Sequence, residues 1–395
     1  MSSVPYVRLS AFYFAYFAYV GAFTPFFSLY LQRELALPGV EIGIILSVMA
    51  LARILVPLVV GPWADRSGHR SGVLRVSMVL GAITWAGAFA ADSFIGMLVL
   101  IAVFSAVVAP VMPIFEGITF SHVRDHPGRY GPVRLWGSIG FAVTVLVVGP
   151  LLDIYPIRLL LWLLLAVLVT GALMAFSVPE PVAVSHSADR GGVWQVLAKP
   201  QVMALFTACF LMSVAHGPFY GFYSIHLAQA GYSKTAVGML WSLGVVAEIF
   251  VFLWSPRLFR RFSSETLLKF AFVCAILRFA SIGWFADSVI IIVIAQLLHA
   301  ATFGAHHAAS IGLVSAWFGD GRRASGQALY GSLTYGAGGM LGSLVSGVLW
   351  DAVGPAWTFT FASFAGAVGL AVLVRARRLA PPQEAVRIPG QQNAA

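Results

Sequence analysis

Charge is what this chain has least of. Of its 395 residues, 10% are Asp, Glu, Lys or Arg and 59% are hydrophobic, with a mean hydropathy of +0.88. A soluble domain carries a surface that is roughly a quarter to a third charged, so a water-exposed globular protein is excluded. Cysteine is scarce too. Cys209 and Cys274 each sit within an apolar run and make neither a disulfide framework nor a metal-ligand spacing. There are 15 acidic residues, and no two fall within four positions of each other in or beside an apolar run. That argues against the acid-rich metal centre of a membrane-embedded lipid enzyme. No GxxxxGK[ST] loop occurs, so ATP-driven transport by this chain alone is not expected. No cofactor and no metal are expected. The net charge of +9 would suggest nucleic acid in a soluble protein. In so apolar a chain it belongs in connections on one side of a bilayer, and no nucleic acid partner is expected.

What the chain has is apolar length. Runs of roughly 20 residues, enough to cross a bilayer as a helix, lie near 8–31, 41–62, 73–92, 96–121, 133–152, 158–178, 201–226, 235–256, 266–285, 289–316, 324–349 and 355–374. These twelve runs lack the alternation of a barrel wall. The expected fold is therefore an all-α membrane protein of twelve transmembrane helices. The first run is too long for a signal-peptide core and reads as a retained helix. Basic residues fall in the even-numbered connections, among them Arg66, Arg70 and Arg75, then Arg124 and Arg129, then Arg257, Arg260 and Arg261. The odd ones hold only Arg33, Arg158 and Lys234. Both termini are thus expected in the cytoplasm.

The longest polar stretch between runs, about 178–200, divides the runs six and six. The expected organisation is an N-terminal half at 1–178, a cytoplasmic loop at 179–200, a C-terminal half at 201–378 and a cytoplasmic tail at 379–395. An internal repeat supports the division. LWGSIGF at 135–141 matches LYGSLTY at 329–335, and Pro62 matches Pro256, both at an offset of 194. Gly149…Asp153 matches Gly347…Asp351 at 198, which needs a four-residue insertion. Two such halves place a substrate site between them near the midplane.

A charge inside hydrocarbon is expensive and reads as functional. Arg53, Arg134 and Arg278 lie well within runs, as do Glu116 and Glu248. The interior therefore carries one more fixed cation than anion. If Glu116 pairs with Arg134, then Arg53 and Arg278 share Glu248 or face a cavity. A spare guanidinium suits a carboxylate, which accepts two parallel hydrogen bonds from its fork. Two readings stay open for Glu116 and Arg134: substrate contact, or a structural ion pair. Glu248 is the candidate coupling acid, with a static partner of an arginine as its alternative, and Arg53 reads as a buried charge partner or a structural brace. His216 stands before Gly217-Pro218, an expected helix break where freed carbonyls line a cavity. His299 and His307 lie eight apart on about one helix face, with His306 on another. Trp136, within a turn of Arg134, is the aromatic wall candidate; Phe115, Phe141, Phe219, Tyr220 and Tyr223 stand beside the polar positions.

The connection after the second run reads GPWADRSGHR, from Gly61 to Arg70, with Asp65, Arg66 and Gly68 inside it. It resembles the loop signature of the major facilitator superfamily, and its residues read as a gating loop that braces and does not touch substrate. Its counterpart after the eighth run, SPRLFRRFSS, has Phe259 where the acid would be. YGPVRLWGSIGF (130–141), AHGPFYGFYSIHLAQAGYS (215–233), GVVAEI (244–249), QLLHAATFGAHHAA (296–309) and SGQALYGSLTYGAGGMLGS (325–343) carry the resemblance further. Together they are similar to the phenylpropionate-permease branch, related to the lactose permease and nucleoside–proton symporters. The resemblance covers all twelve runs. It implies that Glu116, Arg134, Arg278 and His299 are substrate-site residues and that Glu248 matches a helix-eight acid. Where the lactose permease has an acid three residues after its histidine, this chain has Thr302; Gln296 replaces a basic residue three before it.

The expected function is a proton-coupled secondary transporter, with substrate-binding Glu116, Arg134, Trp136, Arg278 and His299, and Glu248 and His216 in proton coupling. The best substrate expectation is an aromatic monocarboxylate such as 3-phenylpropionate, taken up across a bacterial inner membrane. A nucleoside or sugar symporter, a multidrug-type exporter and a membrane-embedded lipid enzyme are the alternatives. The expected partners are a small-molecule substrate, a proton and the lipid bilayer, and the chain is expected to act as a monomer.

Overall fold

The structure, a computed structural model, describes residues 4–180 and 192–376, apart from the side chains at 62, 65–67, 127, 320, 321 and 324. The expected tail at 379–395 and most of the central loop lie outside the described residues.

The first half contains α1 (Tyr6–Arg33), α2 (Gly39–Ser67), α3 (Arg70–Ala86), α4 (Phe94–Val108), α5 (Val111–Val123), α6 (Tyr130–Ile154) and α7 (Leu159–Ser177). A short helix, α8 (Val193–Leu197), precedes the second half. That half contains α9 (Pro200–Ala215), α10 (Gly217–Gln229), α11 (Lys234–Arg261), α12 (Ser264–Trp284), α13 (Val289–Leu297), α14 (His306–Gly331) and α15 (Gly339–Arg375). Serine side chains start several of them. Ser93, Ser233 and Ser263 accept from the amides of Gly96, Ala236 and Thr266, satisfying donors that the helix cannot. Some crossings are made of two helices in line: α4 with α5 at Pro110, and α9 with α10 at His216, which bears out the break expected before Gly217-Pro218.

Among the described residues eleven helical stretches are long and apolar enough to cross a membrane. The last, Ser325–Arg375, has 51 residues, about 75 Å at 1.5 Å per residue, more than twice a ~30 Å hydrocarbon core. It breaks at Gly354, whose φ of 81° few other residues adopt, and so makes two crossings. The fold is twelve transmembrane helices in two halves of six.

One boundary differs from expectation. The stretch Gly61–Arg66 is helical, because α2 continues to Ser67 and stops at Gly68 in the left-handed region (φ 69°). The connection to α3 is only Gly68 and His69, since hydrogen bonding within the helix satisfies the intervening amides. Arg70 lies against Gly117 of α5, which ties this end of α2 and α3 to the helix carrying Glu116. The side chains of Asp65 and Arg66 lie outside the described part.

Within each half the helices pack closely, with α1 along α6 and α12 along α15. Gly21 and Gly140 let α1 and α6 approach, since a Cβ at either would meet the backbone of Phe141 or Phe14. Between the halves α1 packs against α10, and two pairs make the most extensive junctions, α6 with α11 and α2 with α15. Each pair is built alike. Asp153, at the end of α6, accepts the amides of Lys234 and Thr235 at 2.8 Å each and the Thr235 hydroxyl at 2.6 Å. Asp351, on α15 just before Gly354, accepts the amides of Gly39 and Val40 at 2.8 Å each. One turn earlier a glycine permits the approach: Gly149 against Lys234, and Gly347 against Gly39 and Gly43. Both clamps lie at the same end of the bundle, opposite the ends where α1 begins and α15 finishes.

Candidate functional site

The polar residues of the two halves collect on facing walls. On the first half, α5 and α6 bring Glu116 and Arg134 together, with Nε of Arg134 3.5 Å from Oε1 of Glu116. Tyr130 donates to the other carboxylate oxygen at 3.0 Å. The guanidinium lies over the Phe17 ring at 4.2 Å and near Tyr13 at 5.4 Å, and such a contact stabilises a cation in a poorly solvated setting. The Arg134 side chain remains 32% exposed and that of Glu116 23%. The ion pair to the carboxylate is made through Nε of Arg134, and Nη1 lies against Gly137.

On the second half, α11 carries Glu248, and His299 sits just past the end of α13. Their Oε2 and Nε2 atoms stand 3.8 Å apart, with side chains 17% and 8% exposed. The positive field of Arg134 reaches both Glu248 and His307, so these residues of opposite halves share one electrostatic environment. Between α13 and α14 the chain takes a π-helical turn, Ala300–Ala305, and a second, Ser332–Gly338, precedes α15. Such turns are frequent at functional sites. Here the first stacks His299, Phe303 and His307 in a ladder, with centroid spacings of 5.5 and 5.9 Å and rings within 16° of parallel. The second presents Tyr335, whose hydroxyl shares a 2.8 Å hydrogen bond with Nδ1 of His307.

Arg278, on α12, is 0% exposed. It donates to the Ala295 carbonyl at 3.0 Å, to Thr302 Oγ1 at 3.2 Å and to Gln296 Oε1 at 3.1 Å. Phe219 and Phe279 cover it at 4.1 and 5.1 Å. Among the described residues it has no carboxylate within 4 Å. His216 donates from Nδ1 to the Met212 carbonyl at 2.8 Å and lies 6.4 Å from the His299 ring.

Several expectations are thereby met in geometry: Glu116 stands with Arg134, and Arg278, His299, His216 and Glu248 lie in one region. Others are not. Arg278 and Glu248 are not partners, since Glu248 faces His299. Arg53 is exposed and makes no ion pair among the described residues, because it sits on the open stretch of α2 with Leu51 and Leu55. It is not a buried charge partner, although its field reaches Tyr16, Tyr19 and Tyr220. Trp136 does not line a wall with Arg134. Its indole donates to the Tyr6 hydroxyl at 3.0 Å, bracing α6 against the start of α1. Tyr130, Phe17 and the His307–Tyr335 pair escaped the sequence reading. Tyr130 had a signal, since it opens the motif that contains Arg134.

Broken helices meeting at charged side chains between two like halves define a helical membrane transporter of the major facilitator type. The chain belongs to the MFS_1 like family, whose model matches residues 6–361. It is similar to a protein described as "Probable 3-phenylpropionic acid transporter" from Escherichia coli (strain K12), 31% identical over 87% of this chain and 90% of that one. It is also similar to the maltose permease of Geobacillus stearothermophilus, 27% identical over 92% of each chain. A crystal structure of nucleoside transporter NupG superposes with a TM-score of 0.81, at 19% identity, over 93% of this chain and 98% of that one. These relatives are transporters, and this chain is a secondary transporter, not an enzyme.

Proposed function

We propose that this transporter takes up a small aromatic monocarboxylate, of the 3-phenylpropionate kind, together with a proton. The observation that carries the reading is Arg134: a guanidinium a third exposed, paired with Glu116 through Nε and stacked on Phe17. A guanidinium fork matches a carboxylate bidentately. Phe303, Tyr335 and Tyr220 offer ring faces on the opposite half. The Glu248–His299 pair supplies a proton site on the same wall. Binding a carboxylate at Arg134 and a proton at this pair are favourable together, because each offsets charge that the other leaves behind. The clamps close the periplasmic end, the cavity opens to the cytoplasm, and halves at 1–178 and 201–378 rock as units in a bacterial inner membrane.

The likeness to the probable phenylpropionate transporter supports this substrate class. The likeness to a maltose permease and to NupG favours a second reading, a sugar or nucleoside symporter in which Glu116 and Arg134 bind hydroxyls. Proteoliposomes with an inward proton gradient separate the two, with labelled 3-phenylpropionate, maltose and a nucleoside offered to wild type and to Arg134→Gln. Gradient-driven phenylpropionate uptake that the substitution abolishes is the expected result. Uptake of a neutral solute alone would overturn the carboxylate reading.

A further inference from the structure

Arg278 is the charge that the reading at Arg134 leaves unexplained. A guanidinium brings five N–H donors and a full charge. Its three protein acceptors, Ala295 O, Thr302 Oγ1 and Gln296 Oε1, are all neutral. Two aromatic rings cover its faces without neutralising it. Buried charges are ordinarily matched by an opposite charge. Thr302 stands at Nη1, where an acidic side chain would have provided one.

Two neighbouring side chains add donors. Because Arg278 must donate to Gln296 Oε1, the orientation of that amide is fixed. Its Nε2 group then stands beside the Tyr223 hydroxyl, and neither makes a well-formed hydrogen bond to protein. Gln296 is 1% exposed and Tyr223 0%, and Tyr223 lies beside Gln296 in the field of Arg278. His216 Nε2 is also buried without a partner, but because Nδ1 of that ring donates to Met212 the neutral ring presents Nε2 as an acceptor, so it adds nothing to the donor set. Water would satisfy these groups and leave the charge. A metal cation would be repelled by the guanidinium. An anion satisfies both the donors and the charge.

We propose that the polar cluster around Arg278 binds a small monovalent anion, which neutralises the guanidinium and accepts hydrogen bonds from Gln296 Nε2 and the Tyr223 hydroxyl. Two sources share this chemistry, a free halide and the carboxylate of a transported acid. The site does not depend on the substrate reading above, because a halide would occupy it whatever the cargo. Thr302 is its determinant: a glutamate there would supply a fixed carboxylate and exclude the exchangeable one.

The test uses the full-length protein in lipid nanodiscs, in a halide-free sulfate buffer. Sodium bromide and sodium 3-phenylpropionate are titrated separately at constant ionic strength. The readouts are the thermal midpoint and tryptophan fluorescence, for which Trp241 is a reporter 4.6 Å from Phe219. The expected result is a saturable rise of several degrees with at least one anion. That rise disappears in Arg278→Gln and in Thr302→Glu, and the second variant starts from the higher midpoint. Gln296→Leu and Tyr223→Phe, which keep the charge, should shift half-saturation about tenfold upward, and they serve if the charge-changing variants do not fold. Saturation by bromide without competition from phenylpropionate identifies a halide site. Saturation by phenylpropionate that survives Arg134→Gln identifies the transported carboxylate. Indifference of the wild type to both anions, or an undiminished response in Arg278→Gln, overturns the proposal.

Discussion

The clamps that join the halves make the most exacting prediction. Each aspartate accepts two backbone amides from the start of a helix in the facing half. Hydrogen bonds to a charged acceptor contribute about 1.5–3 kcal/mol each, and a negative charge at a helix start about 0.3–1 kcal/mol more. Replacing Asp351 with Asn keeps one carbonyl oxygen and turns the other acceptor into an N–H2 group that confronts an amide. The loss is one charged hydrogen bond and the charge itself. Because both sites are partly solvated, the lower end applies, about 1.5–2 kcal/mol per clamp. Asp153 and Asp351 serve different helix pairs, so Asp153→Asn with Asp351→Asn should cost the closed state about 3–4 kcal/mol. That moves the equilibrium roughly a hundred- to a thousandfold toward opening at this end. A state populated at about 0.1% would become readily visible. The measurement is the distance between spin labels on Arg33→Cys, at the end of α1, and Phe285→Cys, just after α12, both exposed at the clamped end. Cys209 and Cys274 are buried and would be replaced to keep labelling specific. The wild type should give one short distance, and the double substitution should add a longer population. An unchanged distribution in a folded double variant would refute the assignment of closure to these two carboxylates.

Three smaller perturbations follow from the same contacts. Gly347→Val puts a side chain onto the Gly39 carbonyl, and should hold the clamped end apart and abolish uptake while leaving the protein folded by circular dichroism. Tyr130→Phe removes the 3.0 Å bond to the Glu116 carboxylate, about 1.5 kcal/mol, and should raise the KM for uptake roughly tenfold. Trp85→Phe removes the indole bond to the Leu161 carbonyl, 3.2 Å long and buried. It should lower stability in detergent by about 1 kcal/mol, read as the midpoint of thermal unfolding, and leave KM unchanged.

The number of helices was legible because apolar length is a local property and hydrocarbon imposes it span by span. The weakest of the three repeat matches, Gly149…Asp153 with Gly347…Asp351, turned out to mark equivalent machinery. The insertion that spoiled its offset leaves the glycine-to-aspartate spacing intact, and that spacing sets where the clamp falls. The α2 boundary was misjudged, since proline, glycine and charge in GPWADRSGHR resemble a turn while the backbone keeps its helical bonds. Trp136 lies within a turn of Arg134 in sequence, but its indole reaches the start of α1. Proximity along a helix therefore did not amount to a shared wall. The His307–Tyr335 bond joins residues 28 apart through two π-helical turns, which leave no compositional mark. Gln296 and Thr302 stood out only as departures from a related pattern; their meaning as neutral ligands of Arg278 required the third dimension.

The two halves repeat one frame but not one chemistry. Closure is built twice from the same parts, a glycine for approach and an aspartate to hold a helix start, so the rocking motion can be symmetric. Each half also contributes one interior arginine stacked on a phenylalanine: Arg134 on Phe17, and Arg278 on Phe219. There the likeness ends. Arg134 has its own carboxylate and stays a third exposed, whereas Arg278 has neutral ligands and is fully buried. Had both arginines been paired, the interior would be neutral at rest and would favour an uncharged solute. Had both been open, two like charges would face each other across a poorly solvating space, at a cost that rises as water leaves. Under the proposed carboxylate reading, one paired and accessible cation would meet the anion first, and the buried, unmatched one would hold a further attraction for an anion deeper inside. On that reading, an asymmetric charge pattern on a symmetric frame would give the proposed anion a preferred order of binding.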